Sequence, residues 1–165
     1  MKSPPAPAYS PGQAGVMLLA LLLMLMLASI AVMAAADVWR TTRQREDERE
    51  LLFVGEQYRQ AIRRYYFAAP RGTARVLPAH LDELLTDTRY TVPMHHLRRL
   101  YPDPITGNTD WGLVMVGDRI AGVHSTSEAV PLKQVGFPAA EAVFEARHSY
   151  QEWVFLFSPP RAGHR

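Results

Sequence analysis

The hydrophobic and polar positions divide the chain into zones of different period. Residues 16–36, VMLLALLLMLMLASIAVMAAA, contain one polar side chain, Ser29. At about 1.5 Å rise per residue this run makes roughly 30 Å of helix, the hydrocarbon thickness of a bilayer. No proline lies between Pro11 and Pro70, and Gly55 is the only glycine between Gly15 and Gly72. The pattern therefore predicts one unbroken helix from a membrane to about Phe67. Residues 37–50 are polar nearly all round, with Arg43 and Glu46, Arg45 and Glu48, and Glu46 and Arg49 spaced as helical ion pairs. This reads as a solvated or subunit-facing stem. From Leu51 onward an apolar stripe of Leu51, Val54, Tyr58, Ala61, Ile62 and Tyr65 falls within roughly a 100° arc at about 100° per residue. Glu56, Arg59, Gln60, Arg63 and Arg64 take the other face, while Phe53 and Trp39 lie off the stripe and are expected to face lipid headgroups or a neighbouring molecule.

Beyond Pro70 the pattern shortens. Residues 71–75 read as an exposed loop, and Pro78 is placed to open a short helix whose Leu81, Leu84 and Leu85 share a face. A helical turn is expected around residues 96–100. Residues 101–108, YPDPITGN, are dense in turn formers and lead into an expected strand at 111–116. The Gly117-Asp118 turn and a second strand at 120–125 complete an antiparallel hairpin. Residues 153–157, WVFLF, are a third strand candidate, stopped by Pro159 and Pro160. Three strands with one apolar face need a cover, and the helix stripe supplies it. The expected fold class is α+β, a long helix, transmembrane and then amphipathic, packed on a small antiparallel sheet. The expected organisation is a leader at 1–15, a membrane half of the helix at 16–36, a stem half at 37–69 and a globular α+β domain at 70–165.

Composition and charge narrow the function. Of the 18 Lys and Arg only Lys2 precedes the apolar run, and all 16 Asp and Glu follow it, so the remainder is almost neutral and no nucleic-acid partner is expected. The absence of cysteine excludes disulfides, Cys-type zinc sites and thiol catalysis. Residues 1–15, rich in proline and small side chains, are expected to be disordered. Ala34 and Ala36 before Asp37 fit the small-x-small pattern of signal peptidase, although the apolar run exceeds a usual signal core. Arg40, Arg43, Arg45 and Arg49 outnumber Lys2 and by the positive-inside rule favour a cytoplasmic carboxyl side.

Chemistry-bearing residues are sparse. The adjacent His95 and His96 point in different directions and lack any metal-ligand spacing, which gives them a structural or merely exposed role. Asp103, Asn108 and Asp110 around a turn are read as turn stabilisers. His124, Ser125, Ser127 and Glu128 lack a nucleophile elbow, and Met17, Met24, Met26 and Met33 are apolar filler. No catalytic residue, metal or cofactor is expected.

Gly15 followed directly by an apolar helix, its amphipathic continuation and a small helix-plus-sheet domain resemble the type IV pilin superfamily. The stretch HLRRLYPDP at 96–104, with Gly107-Asn108 and Trp111-Gly112-Leu113, resembles the region before the first strands of type II secretion pseudopilins, and Leu77-Pro78 with residues 81–85 resembles the segment ahead of it. The resemblance implies a pilin-like structural subunit cut after Gly15 by a prepilin peptidase and N-methylated at Val16. It implies a single-pass anchor in the inner membrane, a periplasmic globular domain, and assembly with sister subunits on a secretion platform into a filament. Leu51, Val54, Tyr58, Ile62 and Tyr65 are the expected helix-sheet packing residues. The chain departs from the family at Ala20, where a glutamate is usual, at Val16, where phenylalanine is usual, and at Met17, which points to a minor or tip subunit. Residues 125–131 hold one acid, so the calcium common in major pseudopilins is not expected there. Two other classes stand beside this one: a membrane-anchored periplasmic assembly or binding protein that does not polymerise, and a soluble exported protein released after Ala36.

Overall fold

The computed structural model describes residues 11–160. In order these form α1 (Pro11–Phe67), α2 (Asp82–Leu85), β1 (Gly112–Val116), β2 (Arg119–His124) and β3 (Phe155–Leu156), with single 3-10 segments at Ala139–Phe144 and Tyr150–Glu152. The class is α+β. The chain divides into two units, Met1–Arg43 and Gln44–Arg165.

In the first unit every described residue is helical. The described part of α1 begins at Pro11, so residues 11–15 are helical where disorder was expected. The disorder expected of residues 1–10 lies outside the described residues. The apolar run is exposed throughout, from Val16 at 68% to Met33 at 70%. By length and composition α1 can cross a membrane. The few polar side chains here look after themselves: Ser29, Thr41 and Thr42 each donate a hydroxyl to the carbonyl four residues earlier.

The second unit is built on the remaining turns of α1. Leu51, Val54, Tyr58, Ala61, Ile62 and Tyr65 are all buried, in one hydrophobic cluster with Ile120, Ala121 and Val123 of β2 and Phe155 of β3. The period of the stripe and the burial coincide because a helix can cover a sheet with only one arc of its surface. Phe53 stays outside at 60% exposure. Gly55 is buried among the stripe, and a Cβ there would overlap the Phe155 ring, so α1 approaches β3 closely because residue 55 has no side chain.

The sheet has the order β1-β2-β3, all antiparallel. Gly117, at φ 65°, makes the β1–β2 turn. A register irregularity between Val114 and Met115 follows, after which Gly112 pairs with His124 and Leu113 with Val123. Gly122 sits opposite Leu156, and an added Cβ would lie 2.6 Å from the Phe155 carbonyl oxygen. The third strand is shorter than expected, two residues in place of five. The 3-10 segment Tyr150–Glu152 runs straight into it, and Trp153 donates its N–H back to Tyr150 at 3.1 Å, so only the following residues reach β2. Residues 96–100 form no helical turn. The amides of His96 and Leu97 both donate to the Leu84 carbonyl of α2, at 2.9 and 2.8 Å, which ties the start of this stretch to that helix.

Candidate functional site

The functional candidates are surfaces of α1 and the polar contacts that fix them. The expected processing site, Gly15 and Val16, lies within the helix; nothing comes within 4 Å of where a Gly15 Cβ would be, and Val16 is 68% exposed. The five packing residues Leu51, Val54, Tyr58, Ile62 and Tyr65 come together on the buried side.

Three polar contacts join this part of α1 to the rest of its unit. Tyr58 both accepts the Tyr101 N–H at 2.9 Å and donates to the Tyr101 carbonyl at 3.0 Å, and the Trp111 indole N–H reaches the same carbonyl at 2.8 Å. Burial pushes the Tyr58 hydroxyl up to about 12, against the pull of these hydrogen bonds. Two turns on, the backbone carbonyl of Tyr65 accepts from Arg89, whose guanidinium lies 3.5 Å over the Tyr65 ring and also grips both oxygens of Asp87. Asp87 is buried and takes a third partner, His96 Nε2, at 3.0 Å. Burial alone would raise the Asp87 carboxyl, but the hydrogen bonds from Arg89 and His96 prevail and hold it at about 2. Burial also raises the Tyr65 hydroxyl, which donates to Glu83.

The third contact overturns part of the stem reading. Glu48 is buried, not solvated: its Oε1 accepts the backbone N–H groups of Leu132 and Lys133 and the Tyr150 hydroxyl, the last at 2.8 Å. Gln44 donates to the Val130 carbonyl and to the same hydroxyl. A charged acceptor receiving two amides and a hydroxyl offsets its own desolvation, which surface pairing with Arg45 would not do. Among the described residues the only ion pair within 37–50 joins Arg40 to Asp37 at 4.0 Å, so the three expected stem pairs are not formed. The periodicity of 37–50 gave no sign of this, since the partners lie some 80 residues away.

The other polar candidates are structural. Asp103 is buried and accepts the Ile105 N–H and the Ser125 hydroxyl, at 2.9 and 2.6 Å, tying the turn at 103–108 to the end of β2. His124 Nδ1 faces the Ser125 carbonyl at 2.8 Å and not its hydroxyl, so the pair lacks the contact a nucleophile and its base require. Asp110 is exposed. Among the described residues no group of three or more His, Cys, Asp or Glu side chains is placed to hold a metal ion.

On its outward side α1 borders a cleft of about 460 Å³ lined by Phe53, Gln57, Arg64, His95, Arg98 and Tyr101 among others. Set against protein-family models, curated proteins and solved structures, the chain matches none.

Proposed function

We propose that this chain is a pilin-like structural subunit, of the pseudopilin kind, that waits in an inner membrane and assembles with sister subunits into a filament serving a type II secretion or pilus-like machine. In this reading residues 16–36 are the single-pass anchor and the domain beyond them is periplasmic. Prepilin peptidase removes residues 1–15, and Val16 becomes the methylated terminus. The secretion assembly platform receives the subunit.

The observation that carries the reading is the division of labour along α1: side chains exposed throughout residues 16–33 and then, on the same helix, a stripe buried against a three-stranded sheet. An apolar surface that large is stable only among lipid tails or other helices.

Ala20 supports a minor or tip position. A buried glutamate there would need a cationic partner, and this subunit makes no such demand. The same residue favours, as a second reading, an anchored protein of the same fold that does not polymerise.

Mass spectrometry of the amino-terminal peptide of the mature, membrane-extracted protein tests the proposal. N-methyl-Val16 is the expected terminus. A chain beginning at Met1 would support the unpolymerised anchor, and one beginning at Asp37 the exported soluble protein; either result refutes processing after Gly15.

A further inference from the structure

We propose that the cleft beside α1 is a docking groove for a short, extended, acidic segment of another protein. The groove lies wholly within the second unit, so the inference does not depend on how the chain is processed or anchored.

Two walls make the groove. Along α1, Phe53, Gln57 and Arg64 line one wall and fall within roughly a 40° arc at about 100° per residue. The other wall is the stretch carrying His95, Arg98 and Tyr101. Its course is fixed at both ends: Tyr58 holds the N–H and the carbonyl of Tyr101, and the His96 ring stands edge-on 5.6 Å from the Tyr65 ring. Residues 96–101 therefore run antiparallel to α1. From Phe53 to Arg64 the helix wall is roughly 16 Å long at about 1.5 Å per residue, which matches about five residues of extended chain.

The chemistry of the walls selects the occupant. Arg64 and Arg98 are exposed, and no acidic side chain lines the cleft. Among the described residues neither has a carboxylate within 4.0 Å, unlike Arg59, which pairs with Glu56, and Arg89, which pairs with Asp87. The one polar contact made by the Arg64 guanidinium is from Nε to the Gln60 carbonyl at 3.3 Å, so its two terminal nitrogens point to no protein acceptor. Asp87 and Glu83, which touch His96 and Tyr65, are already taken up, Asp87 by Arg89 and His96 and Glu83 by the Tyr65 hydroxyl and the Ala79 and His80 amides. His95 Nδ1 donates to the Leu85 carbonyl, so the neutral ring presents Nε2 as an acceptor.

Each group answers to a part of a peptide. The two guanidinium forks suit carboxylates, and His95 Nε2 and the Gln57 amide suit backbone N–H and C=O groups. Phe53, 60% exposed, and Tyr101 offer an aromatic surface for one large apolar side chain. A second copy standing alongside at equal height brings its own exposed Arg63 and Arg64 to this level, so like charges oppose that occupant and favour a different protein.

Fluorescence anisotropy with the full chain in detergent tests this, using the fluorescein-labelled peptides FSEDE and EDESF so that both chain directions are sampled. At least one is expected to bind, and to bind more weakly as salt is raised. Arg64→Glu and Arg98→Glu are each expected to weaken binding by roughly tenfold or more, and the double variant to prefer the cationic peptide FSKKK. Phe53→Ala is expected to weaken binding and leave its salt dependence in place. Arg63→Glu, exposed on α1 but bordering a different cleft, is expected to change the affinity by about twofold at most. Binding of neither acidic peptide overturns the inference. An equal loss in Arg63→Glu reduces the effect to net charge and overturns it as well. Displacement by inorganic phosphate at the peptide's own concentration makes this a simple anion site, and affinity that falls as the chain's own concentration rises gives the groove to a sister copy; either result overturns the assignment.

Discussion

Replacing Gly55 with alanine sets two effects against each other. In an exposed helix the change is favourable by about 1 kcal/mol, because alanine restricts the unfolded chain. Here the added methyl would overlap the Phe155 ring. The ring cannot retreat: Phe155 is fully buried, its ring sits 5.1 Å from that of Phe144, and Phe144 is stacked on Trp153 at 5.7 Å. Overpacking of a filled site costs about 1–3 kcal/mol, so the clash wins and Gly55→Ala is expected to lose about 1–2 kcal/mol. Urea unfolding of the full chain in detergent, followed by the fluorescence of buried Trp111 and Trp153, reads this as a midpoint lower by about 1 M at an unchanged slope. Phe155→Leu opens space at the same spot. The double variant should then be more stable than the sum of the two single losses by about 1 kcal/mol or more, since the residues share one contact. A Gly55→Ala protein as stable as its parent, or a double variant that is simply additive, would mean that α1 is not seated on β3 as described.

Three other perturbations probe the polar contacts. Glu48→Ala strands the Leu132 and Lys133 amides and the Tyr150 hydroxyl, and should cost about 2–3 kcal/mol with faster hydrogen exchange confined to residues 130–134 and 150; unchanged exchange there would refute the buried-carboxylate assignment. Tyr58→Phe leaves the Tyr101 N–H without its acceptor, while Trp111 still serves the Tyr101 carbonyl, so a loss of about 1–2 kcal/mol is expected in the same urea assay. Asp87 is held at about 2 in the folded chain against an ordinary 3.8, so its contribution is complete above about pH 4 and fades as the pH falls through 2. That amounts to about 2 kcal/mol of stability lost over this window, and Asp87→Asn should flatten the pH dependence there; an equally steep profile in the variant would contradict the assignment.

Much of the fold was legible because two long-range demands leave local marks. A helix long and apolar enough to cross a membrane is written as an uninterrupted apolar run, and the demand to roof a sheet as a stripe of period 3.6, so α1 and its inward residues Leu51, Val54, Tyr58, Ile62 and Tyr65 could be read directly. The hairpin was legible from apolar residues around Gly117-Asp118, although β1 begins one residue late. The short β3 was not, because β propensity at Trp153 and Val154 was outweighed by the preceding 3-10 turn, which turns Trp153 into the core. Glu48 and the Asp87–His96–Arg89 cluster were equally hidden. Each satisfies a buried charge with partners supplied by tertiary folding, and no spacing rule along the chain encodes that. The outward cleft was foreshadowed only by Phe53, an aromatic side chain standing off the stripe.

Photo-crosslinking from residue 27 bears most directly on the claim that α1 lives first among lipids and then among its own kind. With benzoylphenylalanine at Leu27, 59% exposed on the apolar run, and two differently tagged copies in one membrane, irradiation should yield dimers carrying both tags. Adducts to lipid alone, with no mixed dimer at any expression level, would contradict it.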